Sequence, residues 1–300
     1  MPDQGPIPTK PAVPQHQGLS VLADDYDGFI VDLWGVMHDG VRAFPAALDC
    51  LERLRAAGKR SVILSNAPRR IWSILARNAE LGIAPDLADA VMSSGEDAWR
   101  HLAERPDAWY RALGARCYHL GPERDFNMRE GLDLSFVDDL READFVLNTG
   151  ALGAEDTVAD YEDLLQAAKD QGLPMICANP DLEVLRGERR EICAGAIAAR
   201  YEALGAEVRY HGKPHAGIYT TCFALLEGVP RARIAAIGDA LRTDIAGANT
   251  AGIDGIFVMN GLQAGELRVD ADGYAMPERL AAQCAAEGHT PAAALPMLRW

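Results

Sequence analysis

Four short segments hold the residues able to do chemistry: Asp32-Leu33-Trp34-Gly35-Val36, Ser65-Asn66, His211-Gly212-Lys213-Pro214, and Gly238-Asp239 followed by Thr243-Asp244. A carboxylate such as Asp32 can attack phosphorus and form an aspartyl-phosphate, which divides one hard displacement into two easier ones. Asp239 and Asp244 together make a hard-oxygen site of the kind that holds Mg2+ against phosphate oxygens. Ser65 and Asn66 offer a hydroxyl and an amide donor for the phosphoryl group. Lys213 can neutralise nucleophile and phosphoryl charge together. Each residue taken singly has a plainer reading: Asp32 and Asp239 as turn residues, Thr243 or Asp244 as a helix N-cap, Ser65-Asn66 as a polar turn, Lys213 as a solvated lysine. Their joint order overturns those readings.

The elements that must position them read as α/β. Gly28-Phe29-Ile30-Val31 is a buried-strand run ending at Asp32, and Ser61-Val62-Ile63-Leu64 another ending at Ser65-Asn66. Between them Pro45 opens a helix with Leu48, Leu51 and Leu54 on one face, closed by Gly58. Pro68 is expected to start the next helix, with Ile71, Ile74 and Leu75 inward and Gly82 as its stop. The pattern returns in a helix carrying Ile218, Cys222, Leu225 and Leu226, then Ile234 to Ile237, then Ile256 to Met259. Strands alternating with helices predict a parallel sheet, whose carboxyl edge is where open α/β sheets place ligands. Residues 84–207 read as an inserted α/β domain with strands at Cys117–Leu120, Phe145–Leu147 and Met175–Cys177. The core is then 21–83 with 208–300, residues 1–20 a flexible tail, and the Ala-rich segment from Pro277 a helix covering the core.

With 49% hydrophobic and 24% charged residues, the 300-residue chain has the composition of a globular protein with a substantial core. A net charge of −15 without a Lys/Arg run argues against nucleic-acid or anionic-membrane partners. The six cysteines form no CxxC pair, which disfavours zinc and thioredoxin-like readings and fits reduced thiols. No apolar run approaches the roughly 20 residues of a membrane span, and the N-terminus lacks a signal-peptide h-region. A cytoplasmic location is the expectation; a homodimer is left open.

The four segments resemble the motifs of the haloacid dehalogenase superfamily of phosphatases. The resemblance runs from Tyr26 to Gly261 and implies a Rossmann-like parallel-sheet core. In those phosphatases Asp32 would be the nucleophile, and Asp32, Asp239 and the Trp34 carbonyl would hold Mg2+, with Asp244 as a further ligand or support. Ser65, Asn66 and Lys213 would bind the phosphoryl group of a small phosphorylated metabolite. Only 33 residues separate Asp32 from Ser65, whereas 147 separate Asn66 from Lys213, room for a whole domain. A domain inserted there is what the family calls a C2 cap. Asn179-Pro180-Asp181 is similar to the substrate-facing loop of the class IIA members. These include pyridoxal phosphate, phosphoglycolate and 4-nitrophenyl phosphate phosphatases and a nucleotidase branch. By that resemblance Asn179 and Asp181 would help shape the substrate pocket, with a vitamin B6 phosphate as the leading substrate.

Trp34 departs from the pattern. The family's phosphatases carry there an aspartate that protonates the leaving oxygen and later activates water, a role worth roughly 10²–10⁴ in rate. Indole does not ionise usefully. Three readings follow. Another group supplies the proton, with His38 and Asp39 a few residues on; or the site binds a phosphorylated ligand as a sensor or binding module; or the chemistry has moved to carbon, as in the metal-independent dehalogenases, which carry an aromatic residue here. The dehalogenases place their cap between the first two motifs, and this chain does not, so that reading ranks last.

Overall fold

The computed structural model describes residues 12–187 and 189–300. In chain order its strands are β1 (Gly28–Asp32), β2 (Arg60–Ser65), β3 (Ala90–Ser93), β4 (Arg116–Leu120), β5 (Ser135–Val137), β6 (Phe145–Asn148), β7 (Met175–Cys177), β8 (Glu183–Arg186), β9 (Arg189–Ile192), β10 (Val208–Tyr210), β11 (Ile234–Gly238), β12 (Asp254–Val258) and β13 (Ala293–Leu295). The core is a 6-stranded parallel sheet in the order β13-β12-β11-β1-β2-β3. The middle positions of its central strands, Phe29–Val31, Val62–Leu64 and Ile234–Ile237, are apolar because helices cover both faces. Phe29, Val31 and Ile63 pack with Leu51 and Leu54 on one side, while Ile30, Val62 and Leu64 pack with Ile218 and Cys222 on the other.

The inserted region builds its own 5-stranded parallel sheet, β10-β7-β6-β4-β5, flanked by helices that include Glu162–Asp170 and Ala194–Ala203. An antiparallel hairpin, β8-β9, stands apart from both sheets. This is the expected Rossmann-like core with an α/β cap.

Several boundaries differ from the sequence expectation. The core sheet runs on through β3, so the insertion begins near Ser94 rather than at 84, and β10 pairs with β7 of the cap rather than with the core. Pro68 does not open a helix: Pro68-Arg69-Arg70 stays in a loop, and the helix spans Ile71–Glu80. Of the segment read as a flexible tail, residues 12–20 pack on the core, with Gln15 bridging to Ala294 and Leu19 fully buried. Residues 1–11 lie outside the described residues. The C-terminal helix Pro277–Glu287 is present, and the chain then adds the edge strand β13.

Candidate active site

Chain direction in the core sheet reverses its build-up at β1: β2 and β3 lie to one side, β11, β12 and β13 to the other. That switch point opens a crevice at the carboxyl ends of the strands. Asp32 closes β1, Ser65 closes β2, and Asp239 follows β11 directly. Asp244 arrives from a π-helical turn, Leu241–Ile245, that continues into the helix Ala246–Ala251. Carboxylate oxygens of Asp32, Asp239 and Asp244 lie within 4.8 Å of one another, all three residues buried.

Lys213 is the cation among them. Its Nζ donates to Asp32 Oδ1 at 2.5 Å, to Asp244 Oδ1 at 2.7 Å and to the Leu64 carbonyl at 3.2 Å. One lysine against three buried carboxylates leaves an excess of negative charge, and the titration of the groups reflects it. Burial pushes Asp32 well above its ordinary value, with Lys213 opposing and Asp244 and Asp239 adding to the rise. Burial and the Asp244 charge raise Asp239 to about 7. For Lys213, burial works downward, but Asp244, Asp32 and Asp181 outweigh it and hold the ammonium firmly charged. A hard cation among oxygen ligands removes this imbalance, so the residues fit a divalent metal. Asp239 is already oriented for one: its Oδ2 accepts the Leu262 N–H at 2.7 Å. Gly35, at φ +81, leaves it room; a Cβ there would lie 2.0 Å from Asp239 Oδ2.

Ser65, Asn66, Asn179, Asp181, Lys213 and Trp34 all line the same cleft between core and cap. Their roles are not all as read from sequence. The Asn66 amide is spent on structure: Nδ2 donates to Asp181 Oδ1 at 2.9 Å and to the Lys213 carbonyl at 3.0 Å, and Oδ1 accepts the Lys213 N–H at 2.8 Å. It clamps the cap loop and the lysine loop together instead of offering its side chain to phosphate. Asn179 Oδ1 accepts the Asp181 N–H at 2.9 Å and shapes that loop. Burial raises the Asp181 carboxyl, against the opposing Lys213 charge.

His38 is corrected more sharply. It is buried and absent from the residues lining the cleft; its Nδ1 accepts the Gly40 N–H at 3.0 Å, and its ring stands edge-to-face on Trp34. Burial lowers it to about 4, so at neutral pH it is an uncharged imidazole with no proton to give as imidazolium. Asp39 does line the cleft, yet burial, which would raise its carboxyl, loses to the Arg42 and Val41 N–H groups and the Arg42 charge, and it stays ionised.

Trp34 itself has a structural job. Its Nε1 donates to the Leu185 carbonyl of β8 at 2.7 Å, and the Arg186 guanidinium sits 4.9 Å from its ring centroid. The β8-β9 hairpin, which sequence reasoning did not single out, is thereby strapped to the core. Its signal was there to see, two short strand-like runs around Gly187-Glu188. Arg69, Arg124 and Asp125 also line the cleft and were missed, because Arg69 lies in a loop and the other two in a single short 3-10 turn, Glu123–Arg129, none with a readable periodicity.

Comparison with known proteins agrees with this arrangement. Residues 29–135 match the family model described as haloacid dehalogenase-like hydrolase, and residues 210–282 one described as HAD-hydrolase-like. Chronophin of Rattus norvegicus is 30% identical over 256 residues, covering 79% of this chain and 77% of that protein. D-glycerol 3-phosphate phosphatase of Mycobacterium tuberculosis is 28% identical over 250 residues, covering 82% of this chain but only 66% of the relative's length. The crystal structure of a haloacid dehalogenase-like hydrolase from Brucella suis superposes with a TM-score of 0.80 at 34% identity, covering 94% of this chain and 99% of that one. With Asp32, Lys213 and the paired carboxylates Asp239 and Asp244 at the switch point of a parallel sheet, the chain belongs to the haloacid dehalogenase-like hydrolases.

Proposed function

We propose that the protein hydrolyses a small phosphomonoester with Mg2+ as cofactor. The observation that carries this reading is the convergence of Asp32, Asp239 and Asp244 on one buried point beside Lys213. Asp32, Asp239 and the Trp34 carbonyl would hold the ion, with Asp244 fixing Lys213 and the Ala240 N–H. When bound, the ion neutralises charge on the phosphoryl oxygens and orients them. Asp32 attacks phosphorus in line, the P–O bond to the leaving group breaks, and an aspartyl-phosphate forms; water then cleaves it to regenerate Asp32 and release phosphate. Lys213 steadies the carboxylate and the transferring group through both steps. Ser65, at the end of β2, faces the phosphoryl oxygens.

Protonation of the leaving oxygen falls to Asp181 in this reading. It is a cap carboxyl whose burial favours the protonated form, it lines the same cleft as Asp32, and unlike Asp125 it is not ion-paired to an arginine. The vitamin B6 phosphate suggested by class resemblance enters as one ester among several. Stacking of its ring on Trp34 finds no support, since that indole is engaged by Leu185 and Arg186.

A second reading is favoured by Trp34: with an indole tied to the cap where family phosphatases keep their acid, the site would bind a phosphate ester without turning it over. One experiment separates the two. A panel of phosphate esters is assayed with Mg2+ and with chelator, wild type beside Asp32→Asn. Metal-dependent phosphate release lost in Asp32→Asn is the expected result; tight binding without release would replace the enzyme by the binding module.

A further inference from the structure

Away from the phosphoryl end, the cleft wall carries three arginines: Arg69 from the loop after β2, Arg124 from the cap segment Glu123–Arg129, and Arg186 from the β8-β9 hairpin. They gather around one buried carboxylate. Asp125, 1% exposed, accepts from Arg69 Nε at 2.7 Å, lies 4.0 Å from Arg124 Nε, and feels the Arg186 charge as well. Glu191 is shared between Arg186 and Arg189. The remaining acids of the wall are engaged elsewhere: Glu183 by Arg190, Asp39 by Arg42, Asp181 by Asn66.

Arg124 is the charge left over. Among the described residues its guanidinium makes no hydrogen bond, and 53% of its side chain is exposed into a cleft that Arg69 and Arg186 also line. Like charges placed together repel unless an anion joins them, and a guanidinium presents a planar fork suited to carboxylate or phosphate. Nothing in phosphoryl transfer at Asp32 needs this second positive wall.

We propose that the wall is a second anion subsite: the substrate carries, besides its phosphomonoester, another anionic group held by Arg124 with help from Arg69 and Arg186. This rests on the assignment of Asp32 and Lys213 as the phosphoryl end. The cavity of about 250 Å3 lies at the small end of ligand sites. The two anionic ends are therefore joined by a short carbon skeleton. A carboxylate and a second phosphate share the chemistry the subsite recognises.

Three phosphomonoesters of equal length, ending in a carboxylate, a second phosphate or a neutral hydroxyl, distinguish the outcomes. Each is assayed with wild type, Arg124→Gln and the charge-keeping Arg124→Lys. Wild type should favour one of the two anionic esters over the neutral one, mainly through KM, and whichever is favoured names the source. Arg124→Gln should lose about tenfold to hundredfold in kcat/KM on that ester and far less on the neutral one. Arg124→Lys should recover part of the loss. Equal use of the neutral ester by wild type, or an unchanged preference in Arg124→Gln, overturns the subsite while leaving the phosphatase intact. If no ester is turned over, the hydrolase reading fails separately, and calorimetric binding of the same three esters decides the subsite by the same ranking.

Discussion

The indole N–H of Trp34 and the backbone carbonyl of Leu185 meet at 2.7 Å across the boundary between core and cap. They are 151 positions apart in the chain, and the bond ties the loop after Asp32 to the hairpin that roofs the cleft. Gly187 N–H extends the same seam toward the Asp39 carbonyl. Trp34, a side chain without a titratable proton, thus fastens the cap.

Trp34→Phe should keep the ring and lose the fastening. A single hydrogen bond of this kind contributes about 0.5–1.5 kcal/mol, so amides of Glu183–Ile192 should exchange hydrogen several-fold faster while the core strands exchange as before. Unchanged protection of the hairpin would show that other contacts hold the cap.

Lys213 is buried with Asp32 and Asp244 as its ion-pair partners. Lys213→Met leaves those carboxylates uncompensated, and removing one partner of a buried ion pair typically costs about 3–5 kcal/mol. Denaturant unfolding without divalent metal should show a loss of that order, and added Mg2+ should restore part of it. A loss below about 1 kcal/mol would mean that the carboxylates simply take up protons.

The metal site should also be readable through pH. With no cation bound, burial and the Asp244 charge raise Asp239 from its ordinary 3.8 to about 7. A carboxyl raised in the folded state works against folding once the unfolded chain ionises it, so the metal-free protein loses stability as pH climbs from about 4 to 7. A divalent ion binds the ionised form and reverses that loss. The Mg2+-induced rise in Tm should therefore be larger at pH 8 than at pH 6, with proton release on binding at pH 6. Equal rises at both values would remove Asp239 from the ligand set.

Much of this site was legible because its chemistry sits at strand ends. Phe29 to Val31 and Val62 to Leu64 are apolar runs that could only be buried strands, and Asp32 and Ser65 follow them at once. Asp239 follows Ile234–Gly238 in the same way. What escaped is what tertiary closure decides. β13 is Ala-Ala-Leu inside an Ala-rich stretch, helix-prone by composition, and becomes a strand because β12 offers it an edge. The hairpin β8-β9 has mixed polarity, since one face meets the cleft rather than a core. His38 read as a candidate proton donor in a loop near the site, and only its contacts with Trp34 and Gly40 reveal it as buried and neutral. Asn66 looked like a phosphate donor until Asp181 and Lys213, far away in sequence, claimed its amide.

In the proposed reaction, with an indole at position 34, leaving-group protonation falls to Asp181, and leaving groups differ in how much they need it. An aryl oxide such as 4-nitrophenolate departs without a proton, whereas an alkoxide requires one, and positioned acids contribute roughly 10²–10⁴. Asp181→Asn keeps an acceptor for Asn66 Nδ2 and removes the ionisable proton. Turnover of an alkyl phosphate should then fall at least tenfold more than turnover of 4-nitrophenyl phosphate, with KM for both changed little. A purely structural role for Asp181 would depress both substrates alike. That parallel loss is the outcome that would return the missing proton to bulk water.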